Sequence, residues 1–540
     1  MQPIADVAGR LDIPASELMP YGHHKAKLPL SLLDRPERGR LILVSALTPT
    51  PAGEGKTTTS IGLGQALDRL GRRVCLALRE PSLGPCFGIK GGGTGGGRSM
   101  LEPSVDINLH FNGDFHAVTA AHNLLSAVLD NHLHFGTDVG IDPRRVMWKR
   151  VMDQNDRSLR NVLLGLGGAK EGLPRESGFD ITAASEVMAI LCLARDLDDL
   201  RVRLENILVG FRPGRGPLYA RELEVTGAML ALLKDALLPN LVQTTEGTPA
   251  LVHGGPFANI AHGCNSVIAT RMASRLADFV VTEAGFGMDL GGQKFLDIKC
   301  VGAGLRPSMA VLVATVKALK MHGGVPLKAL ESENVAAVSA GFANLEHHLE
   351  TLGAYGLPAV VAVNRHPTDT DAEIAAVVDG CRARGIRCAA AEHFARGGAG
   401  AEGLAQAVLD VIPDEPPALQ PAYDWSAPLT EKLAATARRA YGADGVVLTA
   451  EAEADARRIR ALGHAGLPVC MAKTQYSLSD DPKKLGRPRG FDITVRGLRE
   501  STGAGFIVAL TGDILRMPGL PRRPSAADVD VVDGEIVGVG

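Results

Sequence analysis

The sequence predicts a multidomain α/β protein built mainly from parallel, doubly wound sheets. Short apolar runs rich in Val, Ile, Leu and Ala recur along the chain, and helical patterns follow several of them. Apolar runs bounded by Gly, Pro and Asn are typical of strands that are buried on both faces of a parallel sheet. At 540 residues the chain is too long for one simple core, so several packed units are expected.

The predicted strands cover residues 41–46, 74–78, 279–282, 309–314, 359–364, 446–449, 467–472 and 506–511. Helical patterns cover residues 57–70, 315–321 and 371–384. This alternation favours doubly wound sheets, in which ligands bind outside the carboxyl ends of the strands. Composition changes near residues 355–358 and in the Pro-rich stretch 413–421. We therefore expect a large domain at 1–350, an α/β domain at 351–450 and a C-terminal α/β domain at 451–540.

Composition and charge argue against several classes of protein. Hydrophobic residues make up 45% and charged residues 22%, as in ordinary globular enzymes and unlike disordered chains. The formal net charge is −3 without a long basic run, so neither nucleic acid nor a membrane surface is the expected partner. The opening stretch lacks the apolar segment of a secretory signal, and no apolar run approaches the ~18 residues of a transmembrane helix. These features predict a cytoplasmic location.

The eight cysteines are scattered along the chain without a C-x-x-C pair. This spacing argues against a structural zinc site and against a disulfide framework. We therefore expect reduced thiols, and the small net charge without a basic run favours a small-molecule partner.

A glycine-containing loop joins the first predicted strand to the first predicted helix. It consists of Pro49, Thr50, Pro51, Ala52, Gly53, Glu54, Gly55, Lys56 and Thr57. In a phosphate loop the glycines let backbone N–H groups turn toward the phosphates, and the helix N-terminus adds partial positive charge. Lys56 would then reach the β- and γ-phosphates, and the Thr57 hydroxyl would hold Mg²⁺. The sequence thus predicts that these nine residues bind a nucleotide in a P-loop NTPase-like N-terminal domain.

The match of this loop to the G-x-x-x-x-G-K-[ST] motif is imperfect, because Thr50 stands at the first glycine position. The alternative interpretation is a simple strand-to-helix turn with an exposed lysine. The order of strand, glycine-lysine-threonine loop and helix favours nucleotide binding, although the loop alone does not name a reaction.

The loop resembles that of formyltetrahydrofolate synthetase (formate:tetrahydrofolate ligase), including the Thr in place of the first glycine. The resemblance continues in order through residues 21–27, 79–85 with the glycine run 91–97 behind them, 106–111, 253–263, 282–287, 313–324, 364–370 and 473–477. These blocks span almost the whole chain without a long extra domain. The chain therefore resembles the monofunctional bacterial type.

The resemblance implies that the protein uses ATP to join formate to tetrahydrofolate, giving 10-formyltetrahydrofolate, ADP and phosphate. Formate would first take the γ-phosphoryl group of ATP to become formyl phosphate, which the N10 amine of tetrahydrofolate then attacks. The resemblance also implies Mg²⁺, a monovalent cation such as K⁺ or NH₄⁺, and a homotetramer. The nucleotide and formyl phosphate would bind in domain 1–350, and domain 351–450 would contribute to the folate pocket.

Arg79 is predicted to be catalytic together with Lys56. It directly follows the second predicted strand, at the end where open α/β sheets place ligands. Its planar guanidinium suits a bidentate grip on formate or formyl phosphate, and the transferring phosphoryl group requires cations placed in advance. The alternative role for Arg79 is a surface salt bridge to Glu80.

Three residues are candidates for the folate pocket, because a pterin ring suits a flat apolar slot with aromatic walls. By resemblance, Phe286 supplies one wall. His366 and Phe394 stand where the family commonly has a Phe and a Trp, so this pocket departs from the usual pattern. Both side chains can still stack, so we expect a changed folate affinity. A plain core role is the alternative for Phe286.

Other features of the sequence leave two interpretations open. The glycine run 91–97 suits either a close backbone approach to a ligand or a mobile flap. His110, His116, His253 and His262 are candidates for proton relay or phosphate contacts, and each can equally be a hydrogen-bonded structural residue. The alternative functions are a regulatory P-loop ATPase without a folate slot and a ligase for a larger carboxylic acid.

Overall fold

A computed structural model describes residues 1–51, 53–88, 92–214, 216–512 and 514–539, and its centre is a twelve-stranded sheet. Seven strands of this sheet are mutually parallel. They are β1 (Arg40–Ala46), β2 (Val74–Leu78), β3 (Pro249–Val252), β4 (Phe279–Glu283), β5 (Pro307–Ala314), β6 (Ala359–Asn364) and β7 (Arg387–Ala391). Their order across the sheet is β3-β2-β4-β1-β5-β6-β7.

The strand order places a switch point at the middle of the sheet. From β1 the chain moves outward to β2 and β3, returns to β4 beside β1, and then continues on the other side with β5. Ligands bind in the crevice outside the carboxyl ends of the strands at such a reversal. The loops that follow β1 and β4 therefore border the expected binding crevice.

Both faces of the parallel sheet are covered, as the continuous apolar runs predict. Leu41 and Leu43 of β1 belong to one hydrophobic cluster, and Ile42 and Val44 belong to a second cluster on the other face. All four side chains are buried, and a fully buried aliphatic side chain contributes about 1.5–3 kcal/mol. The helix after the loop at residues 49–55, α1 (Lys56–Arg69), packs against the second cluster through its apolar side chains.

The remaining strands lie at one edge of the main sheet or in small separate sheets. The edge strands are Met19–Pro20, Ala26–Lys27, Gly95–Gly96, Ser99–Glu102 and Asn240–Thr244. The separate sheets pair Arg150–Met152 with Phe179–Ile181, Val162–Leu164 with Arg175–Ser177, Leu208–Phe211 with Pro217–Tyr219, Gly445–Leu448 with Asp492–Val495, and Asp530–Val532 with Glu535–Val537. A three-stranded sheet contains Val469–Ala472, Gly497–Ser501 and Phe506–Leu510.

The other α-helices surround these sheets. They are Ile4–Gly9, Leu83–Phe87, Ser104–Asn108, Asp114–Phe135, Glu186–Leu193, Leu197–Glu205, Thr226–Leu233, Val267–Leu276, Val301–Ala303, Val316–His322, Val335–Ala354, Asp371–Arg382, His393–Arg396, Glu402–Val411, Leu429–Thr436 and Ala450–Ala461. The π-helical segments are Met288–Gly292, Phe295–Cys300 and Ala437–Tyr441. No helix within the described ranges is long and apolar enough to cross a membrane.

The predicted α/β class with mainly parallel sheets is confirmed, and all eight predicted strands occur with small differences at their ends. The pattern did not predict β3 and β7. Pro249–Val252 is only four residues long, and Arg387–Ala391 is dominated by small residues, so neither is a clear apolar run. The main sheet continues from β5 to β6 across residue 350. The division into three domains stays a prediction.

Candidate functional site

The loop after β1 lies at the carboxyl edge of the main sheet, where the switch point predicts a ligand. Gly55 has a backbone φ of +69°, in the left-handed region that favours glycine. A Cβ atom on Gly55 would stand 2.6 Å from Nδ2 of Asn364, the last residue of β6 at the same edge. Glycine is therefore required there both for the turn and for the close approach. Ala52, predicted to be in the same loop, lies outside the described residues.

Glu54 stabilises the conformation of this loop through buried hydrogen bonds. Its buried carboxylate accepts a hydrogen bond from the backbone N–H of Thr50 at 2.7 Å and another from the hydroxyl of Thr315, which follows β5. The amide of Asn364 donates to the backbone oxygen of Glu54 at 3.1 Å. These bonds connect the loop to the ends of β5 and β6, so Glu54 serves to hold the loop in place.

A second set of contacts fixes Thr48, the residue that enters the loop. Its backbone N–H donates to Oδ1 of Asn344 at 3.2 Å, and its backbone oxygen accepts from Nε2 of His322 at 2.8 Å. The Thr48 hydroxyl lies 3.0 Å from Nε2 of His348. Burial lowers the pKa of His322 to about 4, so this histidine is neutral at physiological pH. The entry to the loop is therefore held by neutral hydrogen bonds.

Lys56 and Thr57 form the first turn of α1, whose N-terminal N–H groups and dipole favour an anion. The Thr57 hydroxyl donates a hydrogen bond of 2.9 Å to Oε2 of Glu283 at the end of β4. Glu283 is buried. Together, Thr57 and Glu283 place a hydroxyl and a carboxylate oxygen side by side at the start of α1.

Arg79 follows β2 at the same edge and faces Glu283. Its Nη2 lies 3.7 Å from Oε1 of Glu283, and its Nη1 donates to the backbone oxygen of Pro256 at 3.5 Å. Its Nε is buried without a hydrogen-bond partner within the described part of the chain. Arg79 therefore pairs with Glu283 across the crevice. The alternative partner Glu80 is buried elsewhere, where desolvation and the charge of Asp114 raise its pKa well above the usual range.

The loop after β4 packs tightly against Arg79. A Cβ atom on Gly285 would stand 3.1 Å from Nη1 of Arg79 and 2.5 Å from Cβ of Ala258. Glycine is required at this position because any side chain would displace the guanidinium or the neighbouring loop. The next residue, Phe286, is half-buried and has a φ of +59°, a conformation that is uncommon and strained for a bulky residue.

The other two candidates for a folate pocket follow β6 and β7, which are adjacent strands. The backbone N–H of His366 donates to Oδ2 of Asp369 at 2.8 Å. The backbone oxygen of Phe394 accepts from the N–H of Arg98, just after the glycine run, at 2.8 Å. Phe394 is 56% exposed. Phe286 follows β4, and β1 and β5 separate that strand from β6.

The four histidine candidates differ in their surroundings. His253 is buried between Oγ of Ser266 and the backbone oxygen of Ala236, both at 2.7 Å, and burial lowers its pKa to about 4. These bonds fit a structural histidine. His262 is buried with neither ring nitrogen bonded among the described residues. His110 and His116 are exposed.

The structure also bears on metal ligands and cysteines. No group of three or more His, Cys, Asp or Glu side chains in the described ranges has the arrangement of a metal site. Seven of the eight cysteines are buried, and none of the eight, which all lie within the described ranges, forms a disulfide bond. The expectation of reduced thiols stays a prediction.

Comparison with known proteins decides the family. A sequence model of formate–tetrahydrofolate ligase matches residues 1–540. The chain belongs to the formate–tetrahydrofolate ligase family. It is similar to the formate–tetrahydrofolate ligase of Paracoccus denitrificans (strain Pd 1222), with 57% identity over 542 residues that cover 99% of this chain and 97% of the relative. It is also similar to the formate–tetrahydrofolate ligase of Maricaulis maris (strain MCS10), with 55% identity over 544 residues, 100% of this chain and 98% of the relative.

The family predicted from the sequence is thereby confirmed. The chain is a ligase, and its family joins formate to tetrahydrofolate with ATP. The family therefore excludes the two alternative functions, a regulatory ATPase and a ligase for a larger acid.

Several residues at the proposed site were not predicted from the sequence. Glu283 and Asn364 were not singled out, although each ends a buried parallel strand. A polar residue at such a strand end is a usable signal, because strand ends meet at the ligand edge. Glu54 was predicted among the nucleotide-binding residues, but its buried hydrogen bonds were not. Contacts of that kind depend on which strands become neighbours.

Proposed function

We propose that this formate–tetrahydrofolate ligase activates formate as formyl phosphate in the crevice between the loop after β1 and the ends of β2 and β4. An oxygen of formate attacks the γ-phosphorus of ATP, and the bond from that phosphorus to the β,γ-bridging oxygen breaks to release ADP. The N10 amine of tetrahydrofolate then attacks the formyl carbon, phosphate leaves, and the amine loses its proton. The contact of Glu283 with both Thr57 and Arg79 carries the proposal, because it brings the two sides of the crevice together.

In this proposal, Lys56 and the N–H groups at the start of α1 stabilise the transferring phosphoryl group. Charge spreads over the phosphoryl oxygens during transfer, so cations fixed in advance lower the barrier. Pro49, Thr50, Pro51, Gly53, Glu54 and Gly55 are proposed to complete the nucleotide loop, and Ala52 is included on sequence grounds alone. The buried bonds of Glu54 support a role in shaping this loop.

Mg²⁺ is proposed to bind at Thr57, with Glu283 as a second oxygen ligand. The two side chains fit this cation, because Mg²⁺ prefers hydroxyl, carboxylate and water oxygens and is usually held by one or two carboxylates plus substrate phosphates. When bound, Mg²⁺ supplies positive charge at the phosphates. Thr57 and Glu283 would orient it from the protein side, since their oxygens already lie 2.9 Å apart.

Arg79 is proposed to hold formate and then formyl phosphate. Its buried Nε has no partner within the described residues, and its Nη2 faces the crevice near Glu283. A guanidinium offers two parallel N–H donors to a carboxylate. The close approach of Gly285 to this group leaves little space beside it, which favours an acid as small as formate.

Phe286, His366 and Phe394 are proposed to line the pterin site at the same edge. All three follow carboxyl ends of parallel strands, and the strain at Phe286 is typical of residues that are held for a functional purpose. A monovalent cation, a homotetramer and a cytoplasmic location complete the proposal. Light scattering of the purified protein would test the tetramer, and activity with K⁺, NH₄⁺ or Na⁺ salts would test the cation.

Isotope transfer tests the formyl phosphate step directly. The enzyme is supplied with ATP, Mg²⁺, tetrahydrofolate and formate labelled with ¹⁸O in both oxygens. One labelled oxygen should appear in the released phosphate, because the attacking oxygen of formate stays on phosphorus when the formyl–oxygen bond breaks. Unlabelled phosphate would refute the intermediate. Acetate in place of formate is the matched control, and it should support little phosphate release.

A further inference from the structure

A cavity of about 480 Å³ lies apart from the proposed catalytic site. It opens between the second half of helix Val335–Ala354, the segment Ala437–Tyr441 and the loop that carries Arg487. This end of the helix lies just before β6, which begins at Ala359. The volume is within the range of about 300–1,000 Å³ that is usual for small-molecule sites.

The charges that line the cavity favour an anion. Arg438, Arg439 and Arg487 contribute three guanidinium groups, and the one carboxylate among its described lining residues is that of Glu350. His347 also lines the cavity, but burial lowers its pKa, so it is uncharged at neutral pH. The lining therefore carries an excess of about two positive charges, which a compact dianion would balance.

The three guanidinium groups differ in the hydrogen bonds and ion pairs that they already make. Arg487 donates to Oε1 of Glu350 at 2.9 Å, and its Nη1 also lies 3.7 Å from Oε2 of Glu346. Glu350 is the more exposed of these two carboxylates and can move away. Arg439 donates to the backbone oxygen of Ala354 at 3.2 Å, which fixes it in the wall. The exposed Arg438 side chain makes no hydrogen bond or ion pair with other described residues. Arg438 and Arg487 are therefore the two groups that can grip a ligand.

A continuous set of hydrogen bonds connects this cavity to the nucleotide loop. Gly486, next to Arg487, donates its N–H to Nδ1 of His322 at 3.0 Å. The backbone oxygen of Gly486 accepts from Nδ2 of Asn344 at 2.8 Å. His322 and Asn344 are the side chains that hold the backbone oxygen and N–H of Thr48. A shift of the loop that carries Arg487 would therefore be transmitted to Thr48 through the side chains of His322 and Asn344.

We propose that this cavity is a second ligand site, which binds a compact dianion and alters the affinity of the nucleotide loop. The ligand is a phosphate-type oxyanion or a small dicarboxylate, because both present paired oxygens to guanidinium groups. The guanidinium groups of Arg438 and Arg487 bind the dianion, and the ion pair between Glu350 and Arg487 breaks. The effect is reciprocal, so a bound nucleotide changes the affinity for the dianion by the same factor.

Calorimetry on the full-length protein tests the binding. The nucleotide loop is first saturated with a non-hydrolysable ATP analogue and Mg²⁺, and inorganic phosphate or succinate is then titrated in separate arms. Saturable binding to one site per chain is expected in at least one arm. Tighter binding of phosphate identifies an oxyanion site, and tighter binding of succinate identifies a dicarboxylate site.

Three variants are expected to change dianion binding in different ways. Arg438→Gln should weaken binding roughly tenfold through loss of a charge-assisted hydrogen bond. Glu350→Gln should tighten binding by roughly two- to fivefold, because the competing carboxylate is gone. Arg457→Gln is the matched control, since Arg457 is an exposed arginine on helix Ala450–Ala461, and it should bind like the wild type. Thermal melting checks that each variant is folded.

The coupling is measured as the Kd of the ATP analogue with and without a saturating amount of the better dianion. A change of roughly fivefold is expected in the wild type and should disappear in Arg438→Gln. The proposal is overturned by an absence of saturable binding in both arms, by equal losses in Arg438→Gln and Arg457→Gln, or by weaker binding in Glu350→Gln. An unchanged Kd of the analogue would overturn the coupling.

Discussion

Thr57 and Glu283, which are 226 residues apart in the chain, are joined by a hydrogen bond of 2.9 Å between the Thr57 hydroxyl and Oε2 of Glu283. The bond connects the first turn of α1 to the end of β4. The other carboxylate oxygen of Glu283 lies 3.7 Å from Nη2 of Arg79. Glu283 thus contacts both the residue proposed for Mg²⁺ and the residue proposed for formate. Substitutions at these three positions should show non-additive effects, as expected of groups that share a partner.

Replacing Lys56 by Ala should abolish most of the activity. The transferring phosphoryl oxygens would lose a fixed positive charge, and a single electrostatic group of this kind is worth about 3–4 kcal/mol, or roughly 10²–10³-fold in turnover. Phosphate release that depends on formate and tetrahydrofolate is the measurement. Lys317→Ala, on helix Val316–His322 and outside the nucleotide loop, is the control. Near-normal turnover of Lys56→Ala would contradict the proposed role.

Replacing Arg79 by Ala should lower kcat and raise the KM for formate, while the Kd of ATP changes little. The guanidinium is proposed to grip the acid, and Lys is a poor substitute because it lacks the planar pair of donors. Arg79→Lys should therefore recover only part of the lost activity. Steady-state kinetics and nucleotide binding on the same preparations separate the two effects. An effect confined to nucleotide affinity would assign Arg79 to ATP.

Replacing Thr57 by Val should raise the Mg²⁺ concentration needed for half-maximal activity by roughly ten- to a hundredfold, the usual range for lost metal contacts. Thr57→Ser keeps the hydroxyl and should behave almost like the wild type. Glu283→Gln should show a similar shift, because a neutral amide binds Mg²⁺ more weakly than a carboxylate. Titrations of activity with Mg²⁺ at fixed ATP provide the test. An unchanged Mg²⁺ requirement in both Thr57→Val and Glu283→Gln would remove these residues from the proposed metal site.

Placing at positions 366 and 394 the aromatic residues that the family resemblance implies should tighten folate binding. The double variant His366→Phe, Phe394→Trp enlarges the stacking surface, and an aromatic contact is worth about 0.5–1.5 kcal/mol. The KM for tetrahydrofolate should therefore fall by roughly two- to tenfold. The KM for ATP should stay the same and serves as the internal control. A change in the KM for ATP alone would place both residues outside the pterin pocket.

Buried neutral histidines should make the protein less stable in acid. The pKa of His322 is lowered from 6.5 to about 4, so the unfolded chain binds a proton there at higher pH than the folded chain does. The unfolded state therefore binds more protons between pH 6.5 and 4, and stability is lost as the pH falls through this window. Between pH 6.5 and 4, His322 alone lowers the free energy of unfolding by about 3 kcal/mol.

Denaturant unfolding between pH 7.5 and 4.5 measures this effect. His322→Gln should reduce the pH dependence of the unfolding free energy by about one proton at most, or about 1.4 kcal/mol per pH unit. His134→Gln, at an exposed helical position, should leave the dependence unchanged. Equal pH dependences for the wild type and His322→Gln would show that this histidine does not become protonated on unfolding.

The sequence by itself determined the α/β class, the loop at residues 49–57 between a strand and a helix, and the family, because each depends on local patterns or on ordered blocks of sequence. Only the tertiary structure decided that Glu283 lies between Thr57 and Arg79 and that Asn364 closes on Gly55. Those contacts join residues from strands β4 and β6, which become neighbours of the nucleotide loop through the order of strands in the sheet. Local propensity fixes each strand, but the choice of neighbours depends on packing the whole core at once.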